Sequence, residues 1–285
     1  MTAPVVLLVT CSALPDGEPR GDLLLAACAA RGLDARWVVW DDPTVAWADA
    51  DLVAVRSTWD YETRREEFLE WARGVGPRLL NGADVFTWNT DKRYLVELSG
   101  AGLPVVPTLF AEYEGELPPA IAAYDCAVVK PTVGAGGRGV VVFDGEDGGV
   151  ADLDESLLMP GPWVVQPLVE SVRTEGEHSV FVLDGRAVAQ VTKRPAGEEI
   201  RVHTEYGGRS DAVALDPVAA RLAEELVATV AQRLGRSLPY ARADLMRLDG
   251  RLVLSELEVT EPGLYLDVRP ELADAFADLL AQLSA

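Results

Sequence analysis

Short apolar runs recur through the first 80 residues and alternate with stretches of helical spacing. Residues 4–10 (PVVLLVT) form one such run and predict a buried β-strand. Residues 35–40 and 51–56 predict two more, and 79–81 a short fourth. Between them, 22–31 predicts a helix closed by Gly32, and 62–73 predicts another. Thr90 is placed to cap a helix over 91–99, ended by Gly100 or Gly102. Strands alternating with helices imply a parallel sheet with crossover helices. Functional groups in such sheets collect at the carboxyl ends of the strands. Here those ends carry Thr10 to Ser12, Asp41 with Asp42, and Arg56 to Tyr61.

The pattern changes after residue 105. Strands and turns run to Val142, with Gly134–Gly139 set between two apolar strands. Residues 163–168 predict a strand. Residues 178–183 and 186–191 predict a hairpin around Asp184-Gly185. A long helix is expected over 217–234, with Asp216 as its cap, Pro217 at its first position and Gly235 closing it. A second hairpin, 240–248 with 251–259, and an amphipathic helix over 270–283 complete the chain, and no internal repeat is visible.

The chain has 285 residues, 49% of them hydrophobic, which is enough for two compact modules and excludes a disordered polymer. A formal charge of -21 argues against nucleic-acid binding, because phosphate backbones are repelled. A nucleotide with magnesium stays compatible wherever basic side chains converge. Three widely spaced cysteines without a C-x-x-C pattern predict reduced thiols and a cytoplasmic protein, with neither a disulfide framework nor a zinc site. The first residues lack a basic n-region, and no run of 18 apolar residues occurs, so neither a signal peptide nor a membrane span is expected.

Gly134, Gly136 and Gly139 match G-x-G-x-x-G, but a strand follows where a dinucleotide fold needs a helix. No Walker A sequence is present, and the H-R-D and D-F-G sequences of a protein kinase are missing. Strand, glycine loop and strand instead describe a flap whose backbone N–H groups close over phosphate oxygens. An ordinary glycine-rich hairpin would account for the loop equally well.

The second hairpin says more. Arg242 and Asp244 share one face of their strand, and Glu256 and Glu258 share one face of theirs. A tight Asp249-Gly250 turn would set Asp244 opposite Ser255 and separate the pairs. A three-residue loop, 248–250, brings all four together, and that loop is expected. Carboxylates gathered on one face repel unless a cation lies between them, and hard oxygen ligands suit Mg²⁺. Arg242 beside them would hold a transferring phosphoryl group. Scattered charges on an exposed strand face are the alternative.

Taken in order, Lys92 in NTDK, Lys130 in VVKP, the flap Gly134–Gly139, the run 166–169 (QPLV) followed by Gly176-Glu177, and the Arg242/Asp244/Glu256/Glu258 hairpin resemble the ATP-grasp ligases. The likeness covers residues 85–285 and lies near glutathione synthetase and the ligases that tail a ribosomal protein. In the N-terminal half, VTCSALP, WDDP, RSTWDY and WNTDKRYL are similar to the actinobacterial subgroup that includes D-cycloserine synthetase.

The resemblance implies an α/β (α+β) ATP-grasp fold with an N-terminal parallel-sheet pre-ATP-grasp domain, on which homodimers are common. The divisions would be 1–86 for the substrate domain, 87–168 for the small subdomain with the flap, and 169–285 for the subdomain with the metal-binding hairpin. It implies ATP and Mg²⁺, two ions, as cofactors, and a small-molecule substrate. Lys92, Lys130, Gly134, Gly136, Gly137 and Gly139 would face the nucleotide phosphates. Gln166, Pro167, Leu168 and Val169 would flank adenine, and Glu177 the ribose. Asp244, Glu256 and Glu258 would bind metal, although the family often has Asn at the last of these. Arg242, Arg201 and Lys193 would serve the phosphoryl transfer. Arg56, Ser57, Trp59, Asp60, Thr260, Glu261 and Gly263 are the expected substrate contacts, while packing is the alternative for Trp59 and Tyr61. The implied activity is ATP-dependent joining of a carboxylate to an amine through an acyl phosphate, within one small amino-acid-like molecule. Intermolecular amino-acid or peptide ligation and a non-enzymatic ATP-binding regulator are the alternatives.

Overall fold

The computed structural model describes residues 2–144 and 158–285. Its elements, in chain order, are β1 (Val5–Thr10), α1 (Gly21–Ala30), β2 (Asp34–Val39), β3 (Leu52–Ser57), α2 (Arg65–Val75), α3 (Ala83–Asn89), α4 (Tyr94–Gly100), β4 (Leu109–Ala111), α5 (Leu117–Ile121), β5 (Cys126–Pro131), β6 (Val141–Asp144), β7 (Trp163–Pro167), α6 (Ser171–Thr174), β8 (Glu177–Leu183), β9 (Arg186–Arg194), β10 (Arg209–Val213), α7 (Pro217–Leu234), β11 (Tyr240–Leu248), β12 (Arg251–Glu258) and α8 (Leu272–Leu283).

The N-terminal strands pair in parallel in the order β2-β1-β3. Alternate residues of β1 point to opposite faces. Leu7 and Val9 enter a core shared with α2, α3, α4, α7 and the β8, β11 and β12 strands. Val6 and Leu8 enter a second core built with α1 and α8. The last helix of the chain thus seals the first module: Phe276 is buried against Tyr240, and Arg31 on α1 bonds Asp274 and Asp278 at 2.9 and 2.6 Å. The remaining strands form two antiparallel sheets, β4-β7-β5-β6 and β10-β9-β8-β11-β12. The smaller has its own core with α5.

The long helix α7 has the expected ends: the Asp216 side chain accepts from Val218 N, Pro217 starts the helix, and Gly235 ends it in left-handed geometry. Two expectations need correction. Residues 79–81 make no regular strand, since Leu79 joins the sheet only through an isolated bridge to Val53. The helix expected over 91–99 with Thr90 as its cap begins only at Tyr94, as α4, and Thr90 instead ends the preceding helix α3. The Thr90 hydroxyl donates back to Phe86 O, and Asp91 accepts from Arg93 N, so the break has its own capping. That break turns Lys92 towards β5, where its N–H donates to Thr132 O at 2.8 Å.

The acidic hairpin corrects a third expectation. Its turn is the tight two-residue form, with Leu248 opposite Arg251 and both Asp249 and Gly250 at positive φ. The phase is recovered elsewhere, by a β-bulge at Ser255. Leu245 pairs with Leu254, while Asp244 pairs with Glu256 and Arg242 with Glu258. Ser255 Oγ lies 2.9 Å from Asp244 O and 3.1 Å from Glu177 Oε2. Leu254 and Leu257 both reach the core although they stand three positions apart, a spacing no regular strand permits.

Truncating Phe276 to Ala removes the ring that joins α8 to both the N-terminal module and Tyr240. The expected loss is about 3–5 kcal/mol of unfolding free energy, measured by urea titration.

Candidate active site

A cavity of about 510 Å³ lies between the smaller sheet, the five-stranded sheet and the loop after β3. Its apolar end is lined by Val106, Val128, Val169, Val172 and Met246. The run Gln166–Val169 follows β7 along this end. Gln166 turns inward, its side chain accepting from Lys130 Nζ and donating to Thr108 Oγ1, both at 2.9 Å. Pro167, Leu168 and Val169 line the wall. Such a slot suits a flat apolar ring.

The flap forms one lip. Lys92 Nζ donates to Gly134 O at 2.9 Å. Gly137 and Gly139 adopt left-handed backbone geometry, and a Cβ on either would crowd His203 or Met159. Burial lowers the Lys130 ammonium from its ordinary pKa, with the nearby Glu256 opposing that shift.

The floor is the cavity face of β8, β9, β11 and β12. Asp244 is buried, and its oxygens take Arg242 Nε at 2.9 Å, Arg242 Nη2 at 2.8 Å, Lys193 Nζ at 3.0 Å and Ser179 Oγ at 2.6 Å. Burial works to raise its pKa, but Arg242 and Lys193 outweigh it and hold the carboxyl well below the ordinary range. Glu256 pairs with Lys92 at 3.1 Å, and Glu258 pairs with Arg242. Lys193 also meets Glu177, so that carboxylate is tied to the same cation as Asp244. Glu258 fares differently: burial first, then Asp244 and Glu256, push it up to about 8 despite Arg242. Burial, opposed by a hydrogen bond from Tyr61, leaves Glu261 at about 7. His203 is pushed down to about 4 by burial and then by Lys193, so its ring is neutral at pH 7.

Asp244, Glu256 and Glu258 are hard oxygen donors on one face, a set suited to a divalent cation. In this structure arginine and lysine side chains neutralise them. Among the described residues, no three His, Cys, Asp or Glu side chains close around a common point. The donor chemistry fits a metal, and Lys92, Lys193 and Arg242 would have to release these carboxylates for one to bind.

The structure brings together most of the expected residues. Lys92, Lys130, Gly134, Gly136, Gly137, Gln166 to Val169, Glu177, Lys193, Arg201, Arg242, Asp244, Glu256 and Glu258 all line the cavity. Gly139, the last residue of the flap, does not line the cavity and lies against Met159. Arg201 pairs with Glu199 at 2.5 Å and lies over the Tyr206 ring. Of the expected substrate contacts, Trp59, Glu261 and Gly263 line the cavity. Arg56, Ser57, Asp60 and Thr260 do not, which corrects that expectation. Arg56 is fully buried beneath the loop, donating to Pro262 O and Glu18 and stacking on Phe276, 4.6 Å from the ring centroid. Ser57 is bonded to Thr10, Asp60 accepts from Trp40 Nε1, and Thr260 bonds Asn89. Each follows a strand end but is used for packing. Tyr61 stacks on Phe68 and also lines the cavity wall.

Sequence reasoning missed Glu18. Its buried carboxylate lines the cavity while accepting from Arg56 and from Leu264 N at 2.6 Å. It stands alone in a Pro- and Gly-containing loop, where nothing in the sequence marks it.

Two antiparallel sheets enclosing a slot, a glycine flap and an acidic hairpin define a nucleotide-dependent ligase. Residues 100–269 match the model of the prokaryotic glutathione synthetase ATP-grasp domain, and residues 6–81 that of the D-cycloserine synthetase DcsG N-terminal domain. The cycloserine biosynthesis protein DcsG of Streptomyces lavendulae is 32% identical over 277 residues, spanning 91% of this chain and 92% of that one. A crystal structure of D-cycloserine synthetase DcsG superposes with a TM-score of 0.84 at 29% identity, covering 99% of this chain and 100% of the other. The ATP-grasp ligase PsnB, solved with a precursor variant, Mg and ADP, shares the fold with a TM-score of 0.68 at 16% identity, with all of both chains covered. The chain belongs to the ATP-grasp family and is an ATP-dependent ligase that forms C–N bonds through an acyl phosphate. ATP-grasp ligases use ATP and Mg²⁺. Among the described residues no helix is long and apolar enough to cross a membrane.

Because the folded Glu258 holds its proton up to about pH 8 and an unfolded glutamate only to about 4.3, the folded state binds more protons between those values. Stability of the ligand-free protein therefore falls as pH rises from about 4.3 to about 8. Urea unfolding at pH 6, 7, 8 and 9 without Mg²⁺ should show that decline, and Glu258→Gln should lessen it, leaving the part that Glu261 contributes up to about pH 7.

Proposed function

We propose that this ligase closes a ring within one small amino-acid-like molecule, joining its carboxylate to its own aminooxy nitrogen. The observation that carries this reading is where the likeness lies. It is not confined to the nucleotide-binding part: residues 6–81 match the DcsG N-terminal domain, and that stretch contributes Trp59 and Tyr61 to the cavity wall.

In this reading, residues 1–86 carry the substrate domain, 87–168 the flap subdomain and 169–285 the metal subdomain. Lys92, Lys130 and the flap N–H groups hold the phosphates, Gln166 to Val169 flank adenine, and Glu177 takes the ribose hydroxyls. Asp244, Glu256 and Glu258 hold two Mg²⁺ ions. The metal supplies charge neutralisation at the phosphate oxygens. Trp59, Glu261 and Gly263 shape the substrate end.

The chemistry explains the charge layout. Carboxylate oxygen is a poor leaving group, so an amine cannot displace it directly. Transfer of a phosphoryl group to that oxygen makes a mixed anhydride. Attack by nitrogen on the carbonyl carbon then breaks the C–O bond, releases phosphate and leaves a proton for a nearby base. The protein needs no covalent nucleophile; it must position the reactants and spread negative charge. Arg242, Lys193 and Arg201 stand beside the reacting end for that purpose.

A coupled assay of ADP release from Mg-ATP, run against aminooxy and hydroxamate analogues of serine and against plain amino acids, tests the proposal. The expected result is ADP release with an aminooxy amino acid and a product lighter by one water. Glu256→Gln should lower kcat/KM by at least about 100-fold. Release that needs two separate molecules, or a peptide, would replace ring closure with intermolecular ligation.

A further inference from the structure

The flap is fastened to the N-terminal module at one residue that neither the sequence pattern nor the ligase chemistry requires. Glu62 lies in the turn after β3, where an acid is ordinarily solvated, yet its side chain is only 5% exposed. Its Oε2 accepts from the flap N–H of Ala135 at 2.7 Å, and its Oε1 pairs with the flap guanidinium of Arg138. Arg138 Nη2 also donates to Trp59 O at 3.3 Å. All three flap contacts therefore come from the four-residue segment 59–62. Other groups of that segment face the opposite way. Trp59 Nε1 donates to Glu261 O at 3.2 Å, and the Tyr61 hydroxyl bonds the Glu261 carboxyl. One short segment grips the phosphate-covering flap with one side and the substrate-end loop with the other.

The energetics favour closure. A buried carboxylate is tolerated when it is paired and hydrogen-bonded. Those partners belong to the flap, so lifting the flap strips Glu62 of its cation and its N–H together. On the far side of the flap, Gly137 packs against His203 and Arg201 too closely for a Cβ to enter without displacing them. The flap is thus held at both margins, and the Glu62 margin is the charged one.

We propose that Glu62 is a positioning residue, a latch that holds the glycine flap shut and ties its closure to the loop that receives the substrate. The proposal rests on the ligase reading in one respect, namely what the closed flap protects. When the flap opens early, water adds to the acyl carbon of the acyl phosphate. The C–O bond to phosphate breaks, phosphate leaves with the electron pair, the carboxylate re-forms and a proton passes to solvent. ATP is then consumed without a C–N bond.

The test uses the full-length protein with Mg²⁺ and radiolabelled ADP. Release of the nucleotide is followed by rapid filtration, and the ratio of ADP to ligated product is measured in turnover. Glu62→Gln and Arg138→Met should each speed ADP release about tenfold, as expected for a half-buried charged pair, and raise the ADP-to-product ratio above that of the wild type. Glu62→Asp, which keeps the charge, should fall between. Combining Glu62→Arg with Arg138→Glu should recover part of the loss. A purely structural role would lower thermal stability and leave the ratio unchanged. Unchanged release and an unchanged ratio in both single variants would overturn the latch. Should Glu62→Gln fail to fold, the half-exposed Arg138→Met decides the matter alone. If no compound yields product, the ring-closing reading fails, while the release rates still judge the latch.

Discussion

Like charges on a buried surface drive each other apart, and the floor of this cavity holds several. Asp244, Glu256 and Glu258 share one sheet face, with Glu177 beside them. They are tolerated because cations are interleaved: Arg242 and Lys193 at Asp244, Lys92 at Glu256, Arg242 again at Glu258. A buried acid without such a partner would take up a proton or unfold the strand that carries it. Glu258, sharing its arginine with Asp244, is the least well compensated and the one whose proton is held longest. The arrangement also prepares an exchange. In the proposed reading, phosphate oxygens would compete for Lys92, and Glu256 would then be free to hold a metal. The cations that stabilise the carboxylates in this structure would be the ones that neutralise phosphate.

The carboxylates must also stay where the sheet puts them, and β12 is an edge strand. Edge strands expose unpaired backbone groups and slip easily. Here the free edge is bound by side chains from α3 and α4. Asn89 donates to Leu257 O at 2.6 Å and accepts from Val259 N at 3.0 Å, and the Tyr94 hydroxyl accepts from Leu257 N at 2.8 Å. Val106 N donates to Leu254 O, and Leu254 N donates to Pro104 O. The two helices that flank Lys92 thus also pin the strand bearing its partner, Glu256.

Much of this was legible in the sequence because it depends on local rules. Period-two alternation separated cavity-facing Arg242 and Asp244 from core Ala241, Ala243 and Leu245 on β11, and Asp216, Pro217 and Gly235 marked the ends of α7. The misreadings arose where a tertiary demand overrode a local one. The turn at Asp249-Gly250 took the form its residues favour, and the register was corrected six residues away, at Ser255. The Leu254–Leu257 spacing was the available signal for that bulge. The helix expected over 91–99 starts only at Tyr94, because the Lys92 N–H is taken by Thr132 O, far away in sequence. Arg56 looked like a ligand-binding arginine at a strand end, but its guanidinium lies against Phe276, 220 positions away in sequence, a contact no local pattern announces. Glu18 and Glu62 escaped notice for the same reason: each is an acid in a loop whose partners lie far off in the chain.

The packing of α8 against β1 and α1 bears on the order in which the molecule is made. Leu24 and Cys28 on α1 and Leu8 on β1 share a core with Phe276, Leu279 and Leu280, all from the last helix. A nascent N-terminal module leaving the ribosome therefore presents an uncovered apolar face until translation reaches α8. Domains that fold as units during synthesis usually carry their own cover. Here closure must wait for contacts separated by some 250 residues, and joining such distant segments slows folding. An apolar face left uncovered through that interval is a surface open to aggregation or to capture by a chaperone.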